Sequence, residues 1–152
     1  MRAGLVILAL PSAVIAAWTL SSPHSFYDDF PGGGRHWVSA LPPYNEHLMR
    51  DFGATSLAIV VFMVGAAIVL DRRIVQVALL GFLAYSIPHF AYHLTTTDRY
   101  STGDNIGSLA GFVVTIALAI ALLALTREAR EPREASAAPA AYGSSPSRSS
   151  PS

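Results

Sequence analysis

Four long apolar stretches dominate the chain and limit the folds that are open to it. They cover residues 3–20, 50–70, 74–94 and 105–126. An α-helix of about 20 apolar residues crosses the roughly 30 Å hydrocarbon core of a bilayer. Hydrophobic residues make up 52% of the chain and charged residues 13%, which is far from the balance of a soluble domain. The sequence therefore predicts an all-α, polytopic membrane protein whose four-helix transmembrane domain occupies residues 1–127.

Arginine is distributed unevenly around these stretches, and the imbalance predicts an orientation, because short loops rich in arginine or lysine stay in the cytoplasm. With both termini inside, the arginines that face inward are Arg2, Arg72, Arg73, Arg127, Arg130, Arg133 and Arg148. Those that face outward are Arg35, Arg50 and Arg99. We expect a multi-pass protein of a bacterial inner membrane with both termini in the cytoplasm. The alternative is that residues 1 to about 17 form a cleaved signal peptide.

The two segments outside the apolar stretches differ in character. Residues 21–45 mix aromatic rings with charged and histidine side chains, a composition typical of the membrane surface. We expect this outer loop to be an interfacial segment, partly helical and broken at Pro31-Gly32-Gly33-Gly34. Residues 128–152 contain mainly Ala, Pro, Ser and Gly, which cannot bury enough apolar area to fold. The sequence therefore predicts a disordered cytoplasmic tail at 128–152.

All five histidines lie on the outer side of the predicted membrane, and the second helix begins there with a dense polar cluster. Asn45 is suited to cap that helix, and Glu46–Arg50 and His47–Asp51 have the i,i+4 spacing of ion pairs. His47, Arg50 and Asp51 also share one helix face. These pairs either neutralise a helix end that leaves the lipid or form one wall of an outward-facing pocket.

A polar stripe on the third helix predicts the opposite wall of that pocket. Tyr85, Ser86, His89 and His93 lie on one side of an otherwise apolar helix, and such a stripe faces protein rather than lipid. Pro88 lies in the same turn. The predicted ligand pocket is therefore lined by His47, Arg50, Asp51, Tyr85, Ser86, His89 and His93.

The histidine pair of the third helix suggests a divalent metal as a cofactor. His89 and His93 are four residues apart, the spacing that places two imidazoles on one ion. A third ligand from His47, Asp51 or Asp104 would complete the site. The chain has no cysteine, which excludes thiolate ligands. The alternatives for the same histidines are interfacial hydrogen bonding and a role with protons, quinones or lipid headgroups.

The fourth helix carries Gly107 and Gly111, a spacing that lets two helices approach closely. The approach would be within the monomer, or across a homodimer or a complex with another membrane protein. The lipid bilayer is the principal predicted partner, and nothing in the sequence predicts binding of nucleic acid.

The layout of the chain has a counterpart among known membrane proteins. A second span that opens with Arg50-Asp51-Phe52-Gly53-Ala54, and a tight inner turn at Asp71-Arg72-Arg73, resemble small uncharacterised four-helix bacterial membrane proteins of the DoxX-like group. That resemblance implies an association with quinone-linked redox chemistry and envelope stress. The arrangement of Pro88, His89 and His93 is not part of it, and no catalytic residues carry over.

The sequence favours a non-enzymatic role, as an accessory or small-ligand-binding protein of the cell envelope. The alternative is a membrane-embedded enzyme that uses a histidine-ligated metal, or a His/Asp acid-base pair, on a lipid or quinone. A pH-responsive switch is a further alternative, because the unperturbed pKa of a histidine side chain is about 6.5. A transporter is disfavoured, because the inner halves of the spans offer few polar residues beyond Gln76 and Thr115.

Overall fold

The computed structural model describes residues 1–128 and is almost entirely helical. Its elements are α1 (Arg2–Ser21), α2 (Pro23–Asp29), β1 (Pro31–Gly32), β2 (Arg35–His36), α3 (Glu46–Val69), α4 (Arg72–Leu94), a 3-10 turn (Thr97–Arg99) and α5 (Thr102–Glu128). Four of the helices, α1, α3, α4 and α5, are long and apolar enough to cross a membrane. The predicted all-α membrane bundle is confirmed. The tail predicted at 128–152 lies, apart from its first residue, outside the described residues.

Helices α3 and α4 begin at residues whose side chains satisfy free backbone amides. The Asn45 side chain accepts a hydrogen bond from the Leu48 amide at 3.1 Å, so the predicted cap is confirmed. Asp71 accepts from the amides of Arg73 and Ile74 at 2.9 and 3.1 Å. Leu70, with φ of 54°, ends α3 in a left-handed conformation. The connection between the two helices is therefore only two residues long, which makes them antiparallel neighbours.

The alternating helices give the bundle two chemically different ends. The end that holds residues 22–45, the 3-10 turn and all five histidines is called here the histidine end. The opposite end holds the start of α1, the α3–α4 turn and the end of α5, and is called the arginine end. There the Arg2 guanidinium donates to the Ala67 carbonyl at 2.9 Å, which ties α1 to α3.

The four long helices pack tightly together at the arginine end. Leu5, Leu8, Leu79 and Ala119, from α1, α4 and α5, are fully buried there. A β-carbon added at Gly4 would lie 2.9 Å from the Leu122 side chain, so α1 and α5 approach closely at this point. The apolar core therefore closes the bundle at this end.

Toward the histidine end, α1 stays in close contact with α3. A β-carbon added at Gly53 would lie 2.9 Å from Leu20 Cγ and 3.1 Å from Thr19 Cβ. Only glycine allows the two helices to come this close. Gly53, which the sequence singled out only through its resemblance motif, is therefore a packing position.

The segment between α1 and α3 folds back over the histidine end of the bundle. Helix α2 is followed by a short antiparallel hairpin in which Pro31 pairs with His36 and Gly32 with Arg35. The expected partly helical segment and its break are confirmed. Gly32, Gly33 and Gly34 all have positive φ, which explains the run of glycine at the turn. Phe26 and Tyr27 of α2 are buried against Met49 of α3, so the segment is anchored by aromatic packing.

Candidate ligand cavity

A cavity of about 760 Å³ opens between the helices at the histidine end. Its size is in the range of small-molecule sites in proteins, about 300–1,000 Å³. All five helices and the loop after the hairpin contribute to its lining, which is mainly apolar. The lining includes Pro11 and Ile15 of α1, Phe26 and Tyr27 of α2, Met49 and Phe52 of α3, His89 and His93 of α4, and Gly111 and Phe112 of α5.

The cavity reaches from the histidine end to about the middle of the bundle. Pro11 lies halfway along α1, and Thr115 of α5 lies 13 residues beyond Thr102, which is about 20 Å at a rise of 1.5 Å per residue. Among the residues that the structure describes, no Asp, Glu, Lys or Arg contributes to the lining. The cavity is therefore an uncharged space within the membrane-spanning part of the chain.

The polar groups on one wall of the cavity form a continuous hydrogen-bonded chain along α4. The Tyr85 hydroxyl lies 3.1 Å from His89 Nδ1. His89 Nε2 lies 3.2 Å from His93 Nε2. All three side chains line the cavity. The chain therefore runs from mid-membrane depth toward the histidine end, over two turns of one helix.

Aromatic rings from neighbouring helices hold the two imidazoles in place. The Phe112 ring of α5 lies 5.0 Å from the His89 ring and 5.1 Å from the His93 ring. The Phe52 ring of α3 meets His89 edge-on at 6.0 Å. These contacts restrict ring rotation, so the hydrogen-bonding edges of the histidines are oriented in advance.

The structure separates the second predicted wall from this chain. His47, Arg50 and Asp51 lie outside the cavity lining, which takes Leu48, Met49 and Phe52 from α3 instead. The predicted i,i+4 pairs do form, Arg50 with Glu46 at 2.8 Å and His47 with Asp51 at 3.4 Å. The His47 and Asp51 side chains are 83% and 63% exposed. The three side chains therefore do not line this cavity, and the interpretation of pairs that neutralise an exposed helix end fits their contacts.

Ser86, another predicted pocket residue, is also displaced from the cavity. It is 3% exposed and lies within the protein, so the polar stripe does face protein as expected. It does not contribute to the cavity lining. Tyr85, His89 and His93 are the members of the predicted pocket that the structure brings together.

The predicted three-ligand metal site is not formed. Within residues 1–128, no group of three His, Cys, Asp or Glu side chains is close enough to hold a metal ion. His47 and Asp51 pair with each other, and Asp104 accepts hydrogen bonds from the Trp37 indole and the Ser101 hydroxyl. The histidine pair therefore has no third protein ligand in this part of the chain.

The two glycines of α5 line the cavity and do not form a close contact with another helix of the monomer. A β-carbon at Gly111 would meet no atom within 4 Å, and one at Gly107 would lie 3.4 Å from the Trp37 ring. Both glycines line the cavity, and both are exposed. The predicted packing of this motif against another helix of the monomer is wrong, because the space beside it is the cavity.

Sequence reasoning missed the residue that joins the hairpin loop to α5. The Trp37 indole donates to Asp104 Oδ1 at 2.8 Å, and Arg35 lies 3.5 Å from the same carboxylate oxygen. The Tyr100 hydroxyl donates to the Trp37 carbonyl at 2.8 Å. Burial raises the pKa of Tyr100 above its ordinary value of 10, which keeps this donor protonated. These contacts hold the loop over the cavity.

The loop after the hairpin, held by Trp37, is called here the cover of the cavity. The residues that hold it were visible in the sequence, but the sequence did not show which of them contact each other. Trp37 stood out only as one of several interfacial aromatics, and Asp104 as a charge beside the fourth span. Their side chains meet across 67 residues of chain, and no local spacing rule relates positions so far apart.

Comparison with known proteins adds no relative: no family model, no curated protein and no solved structure matches the chain. The resemblance to the DoxX-like group therefore stays a prediction.

Proposed function

We propose that this chain is a membrane-embedded binding protein for a small, uncharged, lipid-soluble molecule. The observation that carries the proposal is the cavity of about 760 Å³, which has no charged side chain in the lining described and lies within the spans. Binding sites for apolar ligands combine such a lining with a few polar groups that fix orientation. The hydrogen-bonded chain from Tyr85 to His93 supplies those groups. This proposal makes the protein non-enzymatic.

The helix arrangement supports entry of the ligand from the bilayer. Helices α1 and α5 approach closely near Gly4 and Leu122, at the arginine end. Farther along the same two helices, Pro11 and Gly111 line the cavity and yet are exposed. We infer from these exposed lining residues a lateral opening between α1 and α5. A lipid-soluble ligand then reaches the cavity without crossing water.

A second candidate function is supported by the same chain of polar groups. Tyr85, His89 and His93 are joined in series, and such a series moves protons to or from a bound molecule. The protein would then be an enzyme that performs acid-base chemistry on a lipid or quinone. Binding followed by chemical change of the ligand distinguishes this function from binding alone.

The distribution of arginine supports an orientation for either function. Arg2, Arg72, Arg73 and Arg127 lie at the arginine end, and the positive-inside rule places that end in the cytoplasm. The histidine end, with the cavity cover, then faces outward from a bacterial inner membrane. Apolar faces of the helices remain for contact with lipid, with a second copy, or with a larger membrane complex that this protein assists.

The binding function is tested with the chain's own fluorescence. Trp37 lines the cavity and Trp18 does not, and these are the two tryptophans of the chain. In a Trp18→Phe background, tetradecanol brominated near the end of its tail is titrated into the protein in mild detergent. Bromine quenches a tryptophan that it contacts, so we expect quenching that saturates at one ligand per chain. Quenching that rises linearly without saturation contradicts the proposal.

Two glycine substitutions give this test a matched pair. Gly111 and Gly81 both lie in membrane-spanning helices, and a β-carbon at either would meet no atom within 4 Å. Gly111 lines the cavity and Gly81 does not. We expect Gly111→Phe to weaken binding of the brominated alcohol at least about tenfold, while Gly81→Phe leaves it unchanged. Equal effects of the two substitutions would mean that the ligand binds elsewhere.

A further inference from the structure

The proposed ligand would leave one apolar medium for another, and this limits where its affinity comes from. A hydrocarbon tail in the bilayer is already out of water, so burying it in the cavity brings no hydrophobic gain. Packing and hydrogen bonds remain as sources of affinity. The hydrogen-bonded chain of Tyr85, His89 and His93 therefore decides which molecules are preferred.

The geometry fixes how protons are arranged along this chain. A neutral imidazole carries one N–H, on either Nδ1 or Nε2. His89 Nε2 and His93 Nε2 face each other at 3.2 Å, so in a hydrogen bond between neutral rings one nitrogen donates and the other accepts. This single choice sets the direction of every bond in the series.

In the first arrangement, the Tyr85 hydroxyl donates to His89 Nδ1, and His89 Nε2–H donates to His93 Nε2. The Tyr85 oxygen then has a free lone pair that accepts a hydrogen bond from a ligand hydroxyl. In the second arrangement, His93 Nε2–H donates to His89, and His89 Nδ1–H donates to the Tyr85 oxygen. The Tyr85 O–H is then free to donate to a ligand carbonyl. Both arrangements hold the same three protons, and both are uncharged.

From this we infer that the cavity selects neutral amphiphiles that carry one hydroxyl or carbonyl group, which hydrogen-bonds to Tyr85 at the deep end of the Tyr85–His89–His93 chain. The inference rests on the proposed function and adds the ligand class. A carboxylate is rejected, because no cation lies in the described lining to offset its desolvation. An alkane enters but finds no hydrogen bond.

The class is tested by direct titration of four probes with the same brominated tail. They are a tetradecane, a tetradecanol, the methyl ketone of the same chain length and a tetradecanoate, each measured by quenching of Trp37 in the Trp18→Phe background. We expect the alcohol and the ketone to bind about tenfold more tightly than the alkane, which corresponds to one hydrogen bond of about 1.4 kcal/mol. The carboxylate should bind most weakly.

Two tyrosines provide the matched variants. Tyr85 lines the cavity and is part of the hydrogen-bonded chain, whereas Tyr44, also partly buried, does not line the cavity. We expect Tyr85→Phe to lower the ratio of alcohol or ketone affinity to alkane affinity about tenfold, and Tyr44→Phe to leave that ratio unchanged. The change of this ratio from wild type to variant does not depend on how the probes partition into detergent, because that partition is the same in every titration.

The possible outcomes distinguish failure of the ligand class from failure of the proposed binding function. Saturable binding of all four probes with equal affinity would overturn the inference and leave the binding function standing. So would tightest binding of the carboxylate, or equal loss of preference in the two tyrosine variants. Absence of saturable binding for every probe would reject the proposed function, and the ligand class with it.

Discussion

The indole of Trp37 donates a hydrogen bond to Asp104 and thereby joins the loop after the hairpin to the first turn of α5. Asp104 also accepts from the Ser101 hydroxyl, which places its carboxylate at the helix start. Negative charge is favourable at that position, because the first turn of a helix carries partial positive charge. One carboxylate therefore stabilises α5 and holds the cover of the cavity.

We expect Asp104→Ala to release the cover and to speed dissociation of the brominated alcohol about tenfold. The acceptor of the Trp37 indole is lost, and hydrogen bonds to a charged acceptor are stronger than those between neutral groups. Asp104→Asn keeps an acceptor oxygen and should have a much smaller effect. The measurement is stopped-flow recovery of Trp37 fluorescence on dilution.

Asp98→Ala is the control for charge at the same end. The Asp98 side chain is 75% exposed, and within residues 1–128 it pairs with its neighbour Arg99 alone, so its removal should leave the dissociation rate unchanged. Equal acceleration by Asp98→Ala and Asp104→Ala would assign the effect to net charge rather than to the Trp37 contact.

Close packing between α1 and α3 predicts that Gly53→Ala destabilises the fold. The added methyl group would lie 2.9 Å from Leu20 Cγ and 3.1 Å from Thr19 Cβ, both near the backbone of α1. Overpacking of this kind costs about 1–3 kcal/mol. Gly65→Ala, on the same helix, meets no atom within 4 Å and should be neutral or stabilising. Thermal unfolding in detergent should show a lower Tm for Gly53→Ala alone.

Helical periodicity predicted much of the fold and part of the site. The Asn45 cap, the pairs at the start of α3 and the polar stripe of α4 all depend on residues within one or two turns, so spacing rules describe them. Periodicity also grouped His47, Arg50 and Asp51 correctly on one face. Periodicity does not show which way a face points, and this face points away from the cavity. Its charged side chains pair with one another at an exposed helix end.

The remaining parts of the site depend on contacts between distant segments. Phe112 of α5 lies against both histidines of α4, and Trp37 reaches Asp104 across the bundle. These contacts depend on how the helices are arranged in space. The sequence predicted polar residues at the histidine end but not the apolar cavity beside them, because lining residues such as Phe52 and Ile15 have the same composition as lipid-facing ones.

The metal hypothesis has a direct test. We expect the protein purified without chelator to contain much less than one equivalent of zinc, iron, copper or nickel, since His89 and His93 have no third ligand among the described residues. Elemental analysis of wild type and of a His89→Ala/His93→Ala variant decides the question. One metal per chain in wild type that disappears in the variant would restore the metal site and favour the enzyme.

Orientation in the membrane is open to labelling, because the chain contains no cysteine of its own. If the arginine end is cytoplasmic, Thr97→Cys at the exposed 3-10 turn should react in intact cells with a maleimide that cannot cross the inner membrane. Ser144→Cys, in the carboxyl-terminal tail, should react only after the cells are lysed. Both variants keep every arginine, so the charge distribution that carries the prediction is unchanged. The reverse labelling pattern would contradict this orientation and would place the histidine end, with the loop that covers the cavity, in the cytoplasm.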